Sequence, residues 1–134
     1  MAFKFLSDEW AKEFARQIND SKVYEKSAKT WEGDLMIVVE ADKVHPETHY
    51  FFLGLYHGKC TELVEIASEN EREVEYIIRA SYSTLHKCNE GKMNPVTAMM
   101  KRKIKLEGNL INIARYPKAG LELINILSRI PTEY

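Results

Sequence analysis

The 134-residue sequence predicts one α+β domain. Apolar residues recur every three to four positions near both ends of the chain, the repeat of helices resting on a core. In the middle, and once more near residue 104, the repeat shortens to two or becomes a branched apolar run, which marks strands. No internal repeat, low-complexity tract or linker divides the chain, so residues 1–134 are read as a single unit. At that length roughly two-thirds of the unfolded chain's surface can be buried.

The elements follow in order. Leu6, Trp10, Phe14 and Ile18 share one helical face with Ala11 and Ala15. Ser7, followed by Asp8 and Glu9, supplies an N-cap and an acidic first turn. Asn19-Asp20-Ser21 interrupts this helix, and a shorter one runs through Tyr24 to Ala28. Leu35 to Val39 is a buried strand, and Pro46 confines Ala41 to Pro46 to a turn. His49 to Tyr56 is an aromatic second strand, and Gly58-Lys59 turns the chain into a third, Thr61 to Ala67. After the polar break at Ser68 to Glu71, Val74, Tyr76, Ile78 and Ala80 alternate as a half-buried strand. Turns at such regular short intervals predict a meander of about four strands.

Thr84 to Cys88 is a short helix that Gly91 stops in a left-handed cap. Asn94 and Pro95 cap and start the next helix, which carries Val96, Met99 and Met100. Lys103 to Glu107 alternates as a strand with Ile104 and Leu106 inward, closed by Gly108-Asn109. Leu110 to Tyr116 resumes a helix, and Ala119 to Ile130 closes the chain as another.

Composition excludes some functions. Nineteen Lys and Arg against twenty Asp and Glu leave a net charge of −1, so no basic face is available for nucleic acid. The N-terminus lacks the apolar segment of a secretion signal and turns acidic at Asp8 and Glu9. The longest apolar stretch, Tyr50 to Tyr56, falls far short of the ~20 residues that span a bilayer. Pro131 to Tyr134 is not a peroxisomal address. Cys60 and Cys88 stand apart without paired-cysteine spacing; buried thiols of a reducing compartment are the expectation, with a disulfide between them as the alternative. The expectation is a cytoplasmic protein without stable membrane insertion or a nucleic-acid partner.

The motifs of known chemistry are missing. There is no nucleophile elbow, no phosphate-cradling glycine loop and no paired-cysteine or His-Glu metal motif. His45 and His49 lie four apart, but Pro46 between them rules out a shared helical face, and no third ligand stands out. Cys88 near His86 lacks an orienting acid, and the acidic run from Glu62 to Glu75 reads as a solvated edge. No catalytic residue, metal or cofactor is expected.

The informative feature is apolar. In the closing helix, Leu121, Leu123, Ile124, Ile126, Leu127 and Ile130 cover more than half the circumference, wider than a helix resting on a sheet requires. Met99 and Met100 add adaptable, polarizable side chains. A wide core helix, a lipid pocket and a dimer contact all fit this pattern.

One stretch carries a resemblance. Gly91-Lys92-Met93-Asn94-Pro95-Val96-Thr97-Ala98-Met99-Met100, followed by Lys103-Ile104-Lys105-Leu106-Glu107-Gly108-Asn109-Leu110, closely resembles the sterol carrier protein-2 family. The shared pattern is a glycine, a polar link ending in Asn-Pro, an apolar helix start and a Lys-rich alternating strand closed by glycine. Ser83-Thr84 also falls where that family begins a short helix. Arg102 departs from it at the turn before the strand, where many relatives carry Gly. The peroxisomal tail and fused enzyme domain of the eukaryotic carriers are absent, which points to a free-standing relative.

The resemblance implies a mixed sheet of about five strands with helices packed over one face, enclosing an apolar tunnel. It implies a non-catalytic carrier of a sterol, fatty acid or fatty acyl-CoA. The expected lining is Leu35, Ile37, Phe52, Met99, Met100, Ile104, Leu106, Leu121, Ile124 and Leu127. Lys101, Arg102 or Lys103 would meet a carboxylate or phosphate head group at the mouth, and the closing helix would move to exchange ligand. The alternative is an interaction or homodimerisation module that uses an exposed apolar helix face.

Overall fold

In a computed structural model, which describes residues 2–134, the chain runs β1 (Phe3–Lys4), α1 (Asp8–Asp20), α2 (Lys22–Ser27), β2 (Leu35–Glu40), β3 (His49–Tyr56) and β4 (Lys59–Ile66). It continues through β5 (Tyr76–Ser81), α3 (Tyr82–Asn89), α4 (Pro95–Met100), β6 (Ile104–Glu107), α5 (Leu110–Ala114), α6 (Pro117–Arg129) and β7 (Thr132–Glu133). The predicted caps hold. The Ser7 side chain accepts from the Trp10 amide at 3.2 Å, and Asn94 accepts from the Val96 and Thr97 amides at the start of α4.

Five strands form a mixed sheet in the order β4-β3-β2-β5-β6. The expected meander extends only from β2 to β4. The chain then crosses back over β3 and β2, and β5 pairs parallel with β2, Leu35 opposite Tyr76. Alternation along each strand is the same in either arrangement, so the pattern of a single strand does not reveal its partner. The hairpin joining β3 to β4 turns at His57-Gly58, both at positive φ (48° and 82°), one residue before the expected Gly58-Lys59. That pair of backbone angles suits a two-residue hairpin. A Cβ on Gly58 would also lie 2.7 Å from the Glu25 carbonyl oxygen.

Arg102 makes a turn of the kind that favours glycine. Its φ is 61°, its amide bonds to the Met99 carbonyl, and the Lys103 amide reaches back to Ala98. This is the same double closure that Gly91 (φ 78°) makes after α3 through Cys88 and Lys87. A second small sheet, absent from the sequence reading, pairs β1 with β7 in parallel and joins the two ends of the chain. The Trp10 indole N–H fastens it by donating to the Thr132 hydroxyl at 3.1 Å.

The two faces of the main sheet bury different things. Leu35 and Val39 point into the principal core with Trp10, Phe14 and Ile18 of α1. Met36 and Val38 point the other way, into a smaller cluster with Phe52 and Ile66. The crossover segment 67–75 covers this outer cluster, with the Arg72 guanidinium 4.4 Å above the centre of the Phe52 ring. Phe52 pairs with Met36 and so shares its face. The expectation that Phe52 faces the tunnel is therefore corrected.

Candidate ligand cavity

The last helix opens a space. Ala119, Glu122 and Ile126 form the buried stripe of α6. They lie against other helices, because α6 packs on α1, α2, α3 and α5 and barely touches the sheet. Its second apolar stripe, Leu123, Ile124 and Leu127, is half-buried and borders a cavity of about 550 Å³. The surplus apolar surface of the closing helix thus divides between helix packing and this cavity.

Leu35 and Ile37 of β2, Phe51 and Leu53 of β3, and Ile104 and Leu106 of β6 form the floor. Trp10 and Phe14 of α1, Tyr24 of α2 and Met99 of α4 close the sides. Among the described residues, none that lines the cavity carries a charge. The polar tips of Trp31, Tyr76 and Tyr116 are already engaged. The Trp31 indole donates to the Gly33 carbonyl at 2.9 Å, Asn112 donates to the Tyr76 hydroxyl at 2.6 Å, and Tyr116 pairs with Thr30 at 3.0 Å. Burial pushes the Tyr24 phenol well above its ordinary range, so that group stays neutral. A space without free charge favours apolar molecules and penalises polar ones.

Nine of the ten expected lining residues, all but Phe52, border this cavity. They occupy two zones. Leu35, Ile37, Ile104, Leu106, Met99, Ile124 and Leu127 are buried or half-buried, whereas Met100 is 80% exposed and Leu121 47% exposed, at the rim beside Val96. Lys101, Arg102 and Lys103 are exposed just beyond the end of α4. Arg102 shares a shallow neighbouring groove with Met99, Leu106 and Leu110. The sequence reading missed the aromatic part of the lining, which includes Trp31, Tyr76 and Tyr116 beside Trp10, Phe14, Tyr24 and Phe51. The alternation of Tyr76 with Ile78 signalled one of these, while Trp31 and Tyr116 lie between elements, where periodicity says nothing.

The thiols offer no nucleophile. Burial pushes Cys60 up to about 11 and raises Cys88 as well, so neither forms an appreciable thiolate at neutral pH. No helix is long and apolar enough to cross a membrane among the described residues.

A mixed five-stranded sheet, with one helix held off its face by a large apolar cavity, defines a domain built to enclose apolar molecules. The chain belongs to the SCP-2 sterol transfer family, a family of lipid-transfer proteins, which matches residues 4–116. A crystal structure of sterol carrier protein 2 superposes with a TM-score of 0.82 at 30% identity, covering 95% of this chain and 99% of that one. The solution structure of a conserved hypothetical protein of Thermus thermophilus, a candidate sterol carrier protein, gives 0.80 at 28% identity over 99% and 94%. Sterol carrier protein 2 of Yarrowia lipolytica, in its apo form, shares the fold with a TM-score of 0.57 at 16% identity, over 90% and 88%. No curated protein sequence matches the chain.

Proposed function

We propose that the cavity holds the apolar body of one sterol, fatty acid or fatty acyl-CoA, and that the protein carries this ligand in the cytoplasm without altering it. The observation that carries the reading is the uncharged cavity of about 550 Å³ beneath α6. Its size lies within the range of roughly 300–1,000 Å³ for small-ligand sites. Each buried methylene contributes about 0.8 kcal/mol, so burying about ten of them matches micromolar affinity with no polar contact. A carboxylate or phosphate head would emerge between Met100 and Leu121, within reach of Lys101, Arg102 or Lys103. Ligand would enter and leave there as α6 shifts.

The test is displacement of a fluorescent fatty acid, together with native mass spectrometry of freshly purified protein. A saturable probe site, and extra mass removed by organic solvent, support the carrier. Affinity should rise with chain length by about fourfold per methylene until the cavity is full. Absence of both probe binding and copurified lipid would sink the reading.

One observation favours a second role. Met100 and Leu121 are exposed at the cavity rim, and Leu110 and Ile111 are exposed on α5, Ile111 at 75%. They would suit a homodimer contact, and a lipid-free dimer in the same mass spectra would make that the primary function.

A further inference from the structure

A second site lies outside the cavity, in the connection from β2 to β3. We propose that His45, Glu47 and His49 bind one divalent transition-metal ion, zinc by preference. The Nε2 atoms of the two imidazoles face each other at 2.8 Å. With a Glu47 carboxylate oxygen, the three donors all lie within 4.8 Å of one another. Two nitrogens on one tetrahedral zinc, each with a bond of about 2.05 Å, stand roughly 3.3 Å apart, so the rings need part by only about half an ångström. Imidazole with carboxylate is a donor set that zinc accepts, and three protein ligands leave the fourth position to water.

The two imidazoles are held before any ion arrives. Asp42 fixes the turn: its carboxylate accepts from the Val44 and His45 amides, and its own amide donates to the His45 carbonyl at 2.8 Å. The other Asp42 oxygen accepts from the Ser83 amide at the start of α3, which anchors the turn to the core. The His45 ring stacks on Tyr82, with centroids 4.2 Å apart and planes 12° from parallel. His49 is set by its strand, and its Nδ1 contacts the Glu65 carboxylate at 2.6 Å. A carboxylate on Nδ1 places the proton there and leaves Nε2 as the metal-facing lone pair, the arrangement that orients histidine ligands in metal sites. On binding, His45 changes tautomer: the Nε2 proton it shares with His49 passes to solvent while Nδ1 takes one up, so both rings stay neutral and both Nε2 lone pairs turn to the ion. The spacing argument against a metal applied to a helix. Here the β2–β3 connection does the gathering: the bend at Lys43 and Val44, held by Asp42, brings His45 against His49.

The test uses the full, tag-free chain titrated with zinc chloride at neutral pH by calorimetry. One equivalent should bind, and His45→Ala and His49→Ala should each abolish it. Glu65→Gln should weaken it by about 10- to 100-fold, and His57→Ala should leave it unchanged. Because variants can misfold, the wild-type protein supplies an independent reading: zinc should shift the imidazole NMR signals of His45 and His49 but not those of His57 and His86. Absence of zinc binding, binding that survives both alanine variants, or signals that move at His57 or His86 instead would each overturn the proposal.

Discussion

The Ser21 hydroxyl donates to the Glu122 carboxylate and so fastens the junction of α1 and α2 to α6. Ser21 also caps α2 by accepting from the Tyr24 amide at 3.0 Å, and Tyr24 lines the cavity. Glu122 is the one buried charged residue among those described, and Arg129 approaches it at 3.3 Å. This contact sets where α6 sits, and α6 forms one side of the cavity. Glu122→Ala should lower stability by about 1–3 kcal/mol, because Ser21 and Arg129 lose their shared acceptor. It should also speed ligand release, while Glu122→Gln, which keeps an acceptor, should cost less. Urea unfolding and stopped-flow displacement of a bound probe measure the two effects.

Ile124 and Phe52 separate cavity from core. Ile124 borders the cavity from a half-buried position, so Ile124→Trp fills space that no side chain now occupies. Probe affinity should fall by roughly tenfold or more with stability nearly unchanged. Phe52 is buried on the opposite face beneath Arg72. Phe52→Ala should cost about 3–5 kcal/mol yet leave the affinity of the remaining folded protein intact. Loss of binding in Phe52→Ala, at a temperature where it stays folded, would contradict the sidedness of the sheet.

Much of this was legible in the sequence because local rules governed it. The caps at Ser7 and Asn94, the stop at Gly91 and the alternation at Ile104 and Leu106 each depend on residues a few positions apart. Strand partnership does not. That β5 lies beside β2, and that the crossover covers Phe52, is decided by where segment 67–75 travels. The pairing of β1 with β7 spans nearly the whole chain with two residues on each side, too few for any periodicity. The site was legible to the same degree: α6 announced a surplus of apolar surface. Which stripe meets helices and which meets the cavity depended on Glu122, a charged residue that helical periodicity would place in solvent.

Acid stability should carry the mark of Glu13. The Arg16 guanidinium at 2.6 and 2.8 Å and the Gln17 amide at 2.9 Å outweigh partial burial and hold its carboxyl at about 2, against an ordinary value of 4.5. A carboxyl with a depressed folded-state value stabilises the fold above its unfolded value, and this stabilisation disappears as pH falls through the folded one. Stability should therefore decline between pH 4.5 and about 2. Glu13→Gln should flatten that decline by up to one proton's worth of slope, measured by urea midpoints across the range. Both side chains of the pair are partly solvated, so added salt should shrink the difference.

Arg102 and Gly91 solve the same problem with opposite residues. Both close a helix from a left-handed backbone, at φ 61° and 78°. A side chain costs about 1–2 kcal/mol in that conformation and glycine almost nothing. Arg102→Gly should therefore stabilise the protein by up to about 1 kcal/mol, the strain relieved less the extra entropy that glycine gives the unfolded chain. Gly91→Ala should destabilise it by about 1 kcal/mol, and purely through the backbone, since a Cβ there meets no atom within 4 Å. Thermal and urea unfolding of the two variants should thus move in opposite directions. If Arg102→Gly leaves stability untouched but weakens binding of an anionic lipid, then the arginine is kept at the cavity mouth for its charge despite its backbone.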